Sequence, residues 1–211
     1  MKIIELTEVD STHKYLRQLI KTNGFKEPTA VITTNQTDGI GSRGNNWEGK
    51  KGNLFFSFVL NKSDLPSDLP LQSASIYFSY IFKKVLEEHH SSVWLKWPND
   101  FYINDKKIGG TITSVNKELI YCGIGLNLKQ VSDEFGFLDI DIDKKEVLKL
   151  YFKKLTKNFL WKQIFSEYKV EFQKSKKFHA TFQNQKVSLN TAILNKDGSI
   201  DIGGEKVYSL R

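Results

Sequence analysis

Five consecutive residues, Lys96-Trp97-Pro98-Asn99-Asp100, set a cation, an amide and a carboxylate at the end of an apolar stretch. That combination suits a metal-bound triphosphate. Mg²⁺ takes few protein oxygens and keeps water and substrate phosphates as its other ligands, so Asn99 and Asp100 need no third carboxylate nearby. Taken alone, the same Pro-Asn-Asp reads equally well as an ordinary hairpin turn. Just downstream, Lys107-Ile108-Gly109-Gly110 puts paired glycines into a strand, an unfavourable choice unless a ligand or a neighbouring backbone must come close. Lys107 would then face that ligand. Gly123-Ile124-Gly125-Leu126-Asn127 repeats the pattern on another strand, and Asn127 adds a polar group just beyond it.

A third constellation lies upstream. Gly39-Ile40-Gly41-Ser42-Arg43-Gly44 could bring backbone N–H groups against an anion, although by itself it also reads as a surface loop. It is not a P-loop, since no Gly-Lys-Ser/Thr ends it, and a strand rather than a helix follows, which excludes a dinucleotide fingerprint. The chain has only three arginines, Arg17, Arg43 and Arg211, and one of them sits in this loop. An arginine among glycines can fold over a phosphate or carboxylate with bidentate geometry. Trp47 closes the segment, either as a packing anchor or as a surface for a purine.

These residues need a scaffold, and the hydrophobic pattern supplies one. Ile3 to Val9 reads as a strand, followed by a helix capped within Asp10-Ser11-Thr12 and ending near Asn23-Gly24. Ala30 to Thr34 is a strand, Gln36 to Lys51 a long loop without periodicity, and Asn53 to Leu60 the next strand. Apolar residues at 74, 77, 78, 81, 82 and 85 predict an amphipathic helix that covers one face of a sheet. Segments 93–96, 101–103, 108–115 and 119–128, joined by short turns, predict successive antiparallel strands. Asp143 caps a further helix, a second follows from 161 to 172, and alternating short strands fill the remainder. The expected division is a catalytic domain over 1–173 and a small β module over 174–211.

Composition narrows the class. The 211 residues are 39% hydrophobic and 13% aromatic, as in an ordinary globular protein. No apolar run approaches the roughly 20 residues of a membrane span, and the N-terminus lacks a signal-peptide core, so the expectation is a cytoplasmic protein without a membrane partner. A single cysteine, Cys122, excludes an internal disulfide and reads as a buried structural thiol. The formal net charge is +7, yet residues 1–139 hold 16 Lys+Arg and 16 Asp+Glu, against 15 and 8 in residues 140–211. The surplus therefore lies away from the candidate motifs. It reads as a solvated helix face, or as a surface for an acidic partner, with Lys174, Lys176 and Lys177 as candidates.

The ordered set Ser11-Thr12, Gln36, the Gly39–Trp47 loop, Lys96 to Asp100, Lys107 to Gly110 and Gly123 to Asn127 resembles the biotin protein ligases. The resemblance implies an α+β fold: a mixed, largely antiparallel sheet covered by helices, a class II synthetase-like catalytic domain, and a small C-terminal SH3-like β module. It implies ATP-dependent activation of biotin as biotinyl-5'-AMP and transfer to a lysine of a biotin carboxyl carrier protein, with Mg²⁺. Ser11, Thr12, Gln36, Gly39, Gly41, Gly109, Gly110, Gly123 and Gly125 would form the biotin pocket, and Lys107 would bridge the biotin carboxylate and the α-phosphate. Ser42, Arg43, Trp47, Lys96, Asn99 and Asn127 would serve ATP and the adenylate, with Lys107, Arg43 and Lys96 catalytic and Asp100 with Asn99 at the metal.

Departures from the family pattern are specific. Members commonly carry Gly-Arg-Gly-Arg-Arg-Gly-Arg, whereas Ile40, Ser42 and Asn45 stand at three of those arginine positions, leaving Arg43. Either Arg43 takes over the adenylate-holding role of position 42, or the intermediate is retained less tightly. His13 replaces a more usual Asn. The strand that begins at Ile3 leaves no room for an N-terminal DNA-binding domain, so the short form without repressor activity or specific DNA binding is expected, and a homodimer is left open. The rival readings are a lipoate or octanoate carrier-protein ligase or transferase, and a nonenzymatic basic binding module.

Overall fold

The computed structural model describes residues 1–41, 46–47, 49–182 and 185–208. The main sheet contains β1 (Lys2–Leu6), β2 (Thr29–Thr33), β5 (Leu54–Asn61), β6 (Trp94–Lys96), β7 (Asp100–Ile103), β8 (Lys106–Asn116) and β9 (Leu119–Leu126), in the order β1-β2-β5-β9-β8-β7-β6. Only β1 and β2 run parallel, with α1 (Thr12–Asn23) as the crossover that such a pair requires. Its N-terminus is capped by Ser11, whose side chain accepts from the Lys14 N–H, and Gly24 at φ 72° ends it.

Alternation within β5 shows how the sheet divides its two faces. Leu54, Phe56 and Phe58 are fully buried in the main core with α2 (Ala74–Glu88) and α3 (Lys144–Leu155), where Phe56 and Phe58 make edge-on contacts to Tyr151 and Phe152. Val59 faces the other way, into a smaller cluster with Leu16, Val31 and Tyr121 under α1. In β9, Ile120, Cys122, Ile124 and Leu126 belong to the main core. Burial pushes the Cys122 thiol up, which fits a packing role.

α2 departs from the expected one-faced amphipathicity, because twelve of its fifteen residues are buried, Lys83 among them. Its outer side is covered by α4 (Trp161–Ser175): Lys83 Nζ lies 3.0 Å from Glu171 and 2.8 Å from Glu87, and the Tyr80 hydroxyl donates to Glu167 at 2.9 Å. Periodicity counts apolar residues and therefore misses a face buried through paired charges. Asp143 caps α3 through the N–H groups of Lys145 and Glu146, as the sequence predicts.

The segment predicted as a loop contains a short antiparallel pair, β3 (Gly39–Ile40) with β4 (Asn46–Trp47). Two-residue strands are too short to reveal a period of two. The C-terminal module forms two antiparallel sheets, β10 (His179–Phe182) with β11 (Gln185–Ser188), and β12 (Ile193–Leu194), β13 (Ile200–Ile202) and β14 (Glu205–Val207). Leu189, Ala192, Ile200 and Val207 join the main core, and the indole N–H groups of Trp97 and Trp161 donate to the carbonyls of Gly198 (2.9 Å) and Lys196 (2.8 Å). No helix among the described residues is long and apolar enough to cross a membrane.

Candidate functional site

A cavity of about 220 Å³ opens on the sheet face opposite α2 and α3, beside the N-terminus of α1. Glycines make the room. Gly110 pairs with Gly125 and Ile112 with Gly123 across the two strands. A Cβ on Gly125 would stand 2.9 Å from the Trp47 ring, and one on Gly123 would stand 3.1 Å from both Ile112 and the Ser57 hydroxyl. Gly109 faces the other way: its Cβ would meet the Gly125 carbonyl oxygen at 2.6 Å, with Leu126 and Phe101 behind it. It permits close strand packing and does not line the cavity.

One end of the cavity is charged. The β7–β8 register shifts so that Phe101 pairs with Gly109 and Tyr102 with Lys107, leaving Ile108 as an extra residue. Such a bulge re-aims side chains: Lys107 lies on the cavity side with Gly110, and Ile108 is buried in the core. Lys107 Nζ sits 2.7 Å from Asp100 Oδ1 and 5.7 Å from the Trp47 ring centre. Lys96 is largely buried behind them, 3.7 Å from Asp100 Oδ2, and reaches the site through that carboxylate. Asn99 is held by its side-chain N–H donating to the Thr111 carbonyl, and by the Thr111 N–H donating back to the Asn99 carbonyl at 3.0 Å.

The opposite end is polar and uncharged. Gln36 Oε1 accepts from the Thr12 backbone N–H (2.8 Å) and the Thr12 hydroxyl (3.0 Å). Since a hydroxyl has one proton, Ser57 must donate in the 2.8 Å contact between the Ser57 and Thr12 oxygens. This chain fixes the Gln36 amide with its nitrogen turned away from Thr12. Ser11 and Gly41 also line the cavity, and a Cβ on Gly39 would stand 2.9 Å from Gln36 Nε2. His13 is buried beside them, with Nε2 3.2 Å from the Ser114 hydroxyl. Burial, and secondarily the Arg17 charge, lowers its pKa from 6.5 to about 4, so the imidazole is neutral at pH 7.

Trp47 lies over Gly125, and its indole N–H has no hydrogen-bond partner among the described residues. Asn127 lines the cavity while its side chain donates to the Gly136 carbonyl at 3.2 Å; the Gly136 N–H in turn donates to the Lys107 carbonyl at 2.9 Å. These bonds staple the following segment against β8 and bring Phe135 to the cavity wall. Sequence reasoning missed Phe135, Ser57, Thr111 and Ile112. Ser57 carried a usable signal, as the single polar residue in Leu54-Phe-Phe-Ser-Phe-Val-Leu60. Ser42 and Arg43 lie outside the described residues.

Residues 5–127 match the Biotin/lipoate A/B protein ligase family. The bifunctional ligase/repressor BirA of Bacillus spizizenii is 29% identical over 132 residues, which cover 60% of this chain and 40% of that protein. The chain thus spans about two fifths of the length of this curated relative. Among solved structures, the biotin acetyl coenzyme A carboxylase synthetase of Helicobacter pylori, with bound biotinylated ATP, is 41% identical with a TM-score of 0.93, covering 98% of this chain and 99% of that one. The biotin protein ligase of Aquifex aeolicus in complex with biotin and ATP is 27% identical with a TM-score of 0.74, covering 100% and 98%.

Proposed function

The chain belongs to the biotin/lipoate A/B protein ligase family, and from that premise we propose that it ligates biotin to a lysine of a biotin carboxyl carrier protein at the expense of ATP. The observation that carries the reading is the polarity of the cavity. A neutral hydrogen-bonding end, built on Thr12, Gln36 and Ser57, suits the ureido group of biotin. The Lys107–Asp100 end suits the biotin carboxylate and the phosphates.

In the first step the biotin carboxylate oxygen attacks the α-phosphorus of ATP, an acyl–phosphate bond forms and pyrophosphate leaves. Lys107 bridges the two anions and Lys96 supports it from behind, so the protein acts by positioning and by stabilising developing charge. In the second step the carrier lysine amine attacks the acyl carbon, loses a proton, and AMP departs. Trp47 and Asn127 serve the adenosine side; either Arg43 takes over the adenylate-holding role of position 42, or the intermediate is retained less tightly. Asp100, through its carboxylate, and Asn99, through its amide oxygen, are the residues that would hold Mg²⁺, which would supply charge neutralisation at the phosphates.

Residues 1–173 bind both small substrates in this reading, and residues 174–211 form the accessory module. A cytoplasmic location belongs to the same reading and agrees with ATP as substrate and Cys122 as a free thiol. Incubation with labelled biotin, ATP, Mg²⁺ and a biotin carboxyl carrier domain should label the carrier. Absence of label with a competent carrier would overturn the proposal, and preference for lipoate or octanoate in ATP–pyrophosphate exchange would redirect it.

A further inference from the structure

Biotinyl transfer requires a folded partner to bring its lysine over the rim of the reacting cavity, so the docking surface must adjoin that rim. Further grooves lie elsewhere among the described residues. The one between β1, β2 and α3, and the one between α4 and β12, share no lining residue with the cavity. The third, about 820 Å³, runs between α1 and the β8–β9 hairpin and shares His13 and Ile40 with it. The two therefore adjoin at these residues.

The groove has the chemistry of a protein-docking surface with a sign. Its floor is apolar, from the half-buried Ile20, Phe25 and Leu119 and the buried Tyr121. Its rim carries Lys14, Arg17, Lys21 and Lys117, all exposed. The one carboxylate in the lining, Glu118, is paired with Lys62 at 3.2 Å, and Lys14 with Asp38 at 2.5 Å. Arg17, Lys21 and Lys117 make no ion pair among the described residues, and Arg17 lies 6.0 Å over the Tyr121 ring. Unpaired cations around an apolar floor attract and orient an acidic surface, and such rim charges act mainly on encounter and on specificity.

Resting on the biotin-ligation reading, we infer that the groove between α1 and the β8–β9 hairpin docks the acidic face of the carrier domain and steers its lysine past His13 and Ile40 into the cavity. The groove of the net positive C-terminal third, with exposed Val170 and Ile193 beside Lys169 and Lys176, shares no lining residue with the cavity.

Two triple variants of the full chain test this, Arg17→Gln/Lys21→Gln/Lys117→Gln and Lys174→Gln/Lys176→Gln/Lys177→Gln. Each is assayed for biotin-dependent ATP–pyrophosphate exchange and for transfer to a biotin carboxyl carrier domain. The groove variant should keep wild-type exchange while its KM for the carrier rises roughly tenfold at low salt and loses much of its salt dependence. The C-terminal variant should match the wild type in both assays. An unchanged carrier KM in the groove variant, or a rise confined to the C-terminal variant, overturns the assignment. So does loss of self-association in the groove variant with carrier KM intact, which would give the groove to a second copy of the chain. If the triple groove variant lost exchange, single Lys21→Gln and Lys117→Gln enzymes would be judged by the same criteria. Absence of exchange in the wild type itself would remove the ligase reading on which the inference stands.

Discussion

Lys107 Nζ lies 2.7 Å from Asp100 Oδ1 across the β7–β8 ladder, a pairing made possible by the extra residue Ile108. Both side chains keep some exposure, at 27% and 19%, and Lys96 lies 3.7 Å from Asp100, so losing Lys107 does not leave the carboxylate without a cation. The placement of the Lys107–Asp100 pair therefore matters for the cavity more than for the fold. Asp100 holds the ammonium beside Trp47, where two substrate anions would meet.

Lys107→Ala should reduce ATP–pyrophosphate exchange by about a hundredfold or more, the scale of losing a preorganised charge at a reacting phosphate. Thermal stability should stay close to wild type. Undiminished exchange in a folded variant would show that the key cation has been assigned to the wrong residue.

The buried His13 gives the fold a pH dependence of definite sign. Its pKa is about 4 in the folded chain and 6.5 when unfolded, so below pH 6.5 the unfolded state binds the proton first. The stability present above pH 6.5 is lost progressively as the pH falls through about 4. The full shift corresponds to roughly 3 kcal/mol. Urea unfolding of the wild type and of His13→Gln between about pH 7 and pH 4 should show a shallower decline in the variant. Superimposable declines would mean that His13 does not titrate as its burial implies.

The sequence made the glycine-opened strands and the Lys96–Asp100 turn legible because each is a local departure from what a strand normally carries. It could not tell which face a given glycine serves. Gly109 and Gly110 look alike in sequence, and only the bulge at Ile108 decides that Gly110 borders the cavity while Gly109 packs against Leu126. Phe135 was illegible for a related reason. Its place depends on bonds from Gly136 to Lys107 and Asn127, contacts that no periodicity encodes. The short β3–β4 pair and the charged outer side of α2 escaped for want of any apolar repeat.

The C-terminal module is tied to the site through Trp97, whose indole donates to Gly198 and whose backbone N–H donates to Ser175 Oγ at 2.9 Å. Trp97 is buried two residues before Asn99. Removing residues 176–211 would expose this tryptophan along with the core contacts of Leu189, Ala192 and Ile200. Such a truncation should yield an aggregation-prone chain without exchange activity. A soluble fragment with native exchange would mean that residues 176–211 are dispensable for the rest of the chain.

Gly109 on β8 and Gly125 on β9, whose ladder partners are Leu126 and Gly110, provide the sharpest separation of fold from function. A methyl on Gly109 runs into the Gly125 carbonyl oxygen at 2.6 Å, so backbone must move and the sheet must open locally. Overpacking of this kind costs about 1–3 kcal/mol or more. A methyl on Gly125 meets the Trp47 ring at 2.9 Å, and a side chain at the cavity edge can shift where a ladder cannot. Gly109→Ala should therefore lower the urea midpoint clearly, whereas Gly125→Ala should leave it within about 1 kcal/mol of wild type and raise the KM for ATP several-fold by displacing Trp47. Equal stability losses in the two variants would mean that Trp47 is anchored as rigidly as the sheet, and a Gly125→Ala enzyme with wild-type KM would remove Trp47 from the nucleotide site.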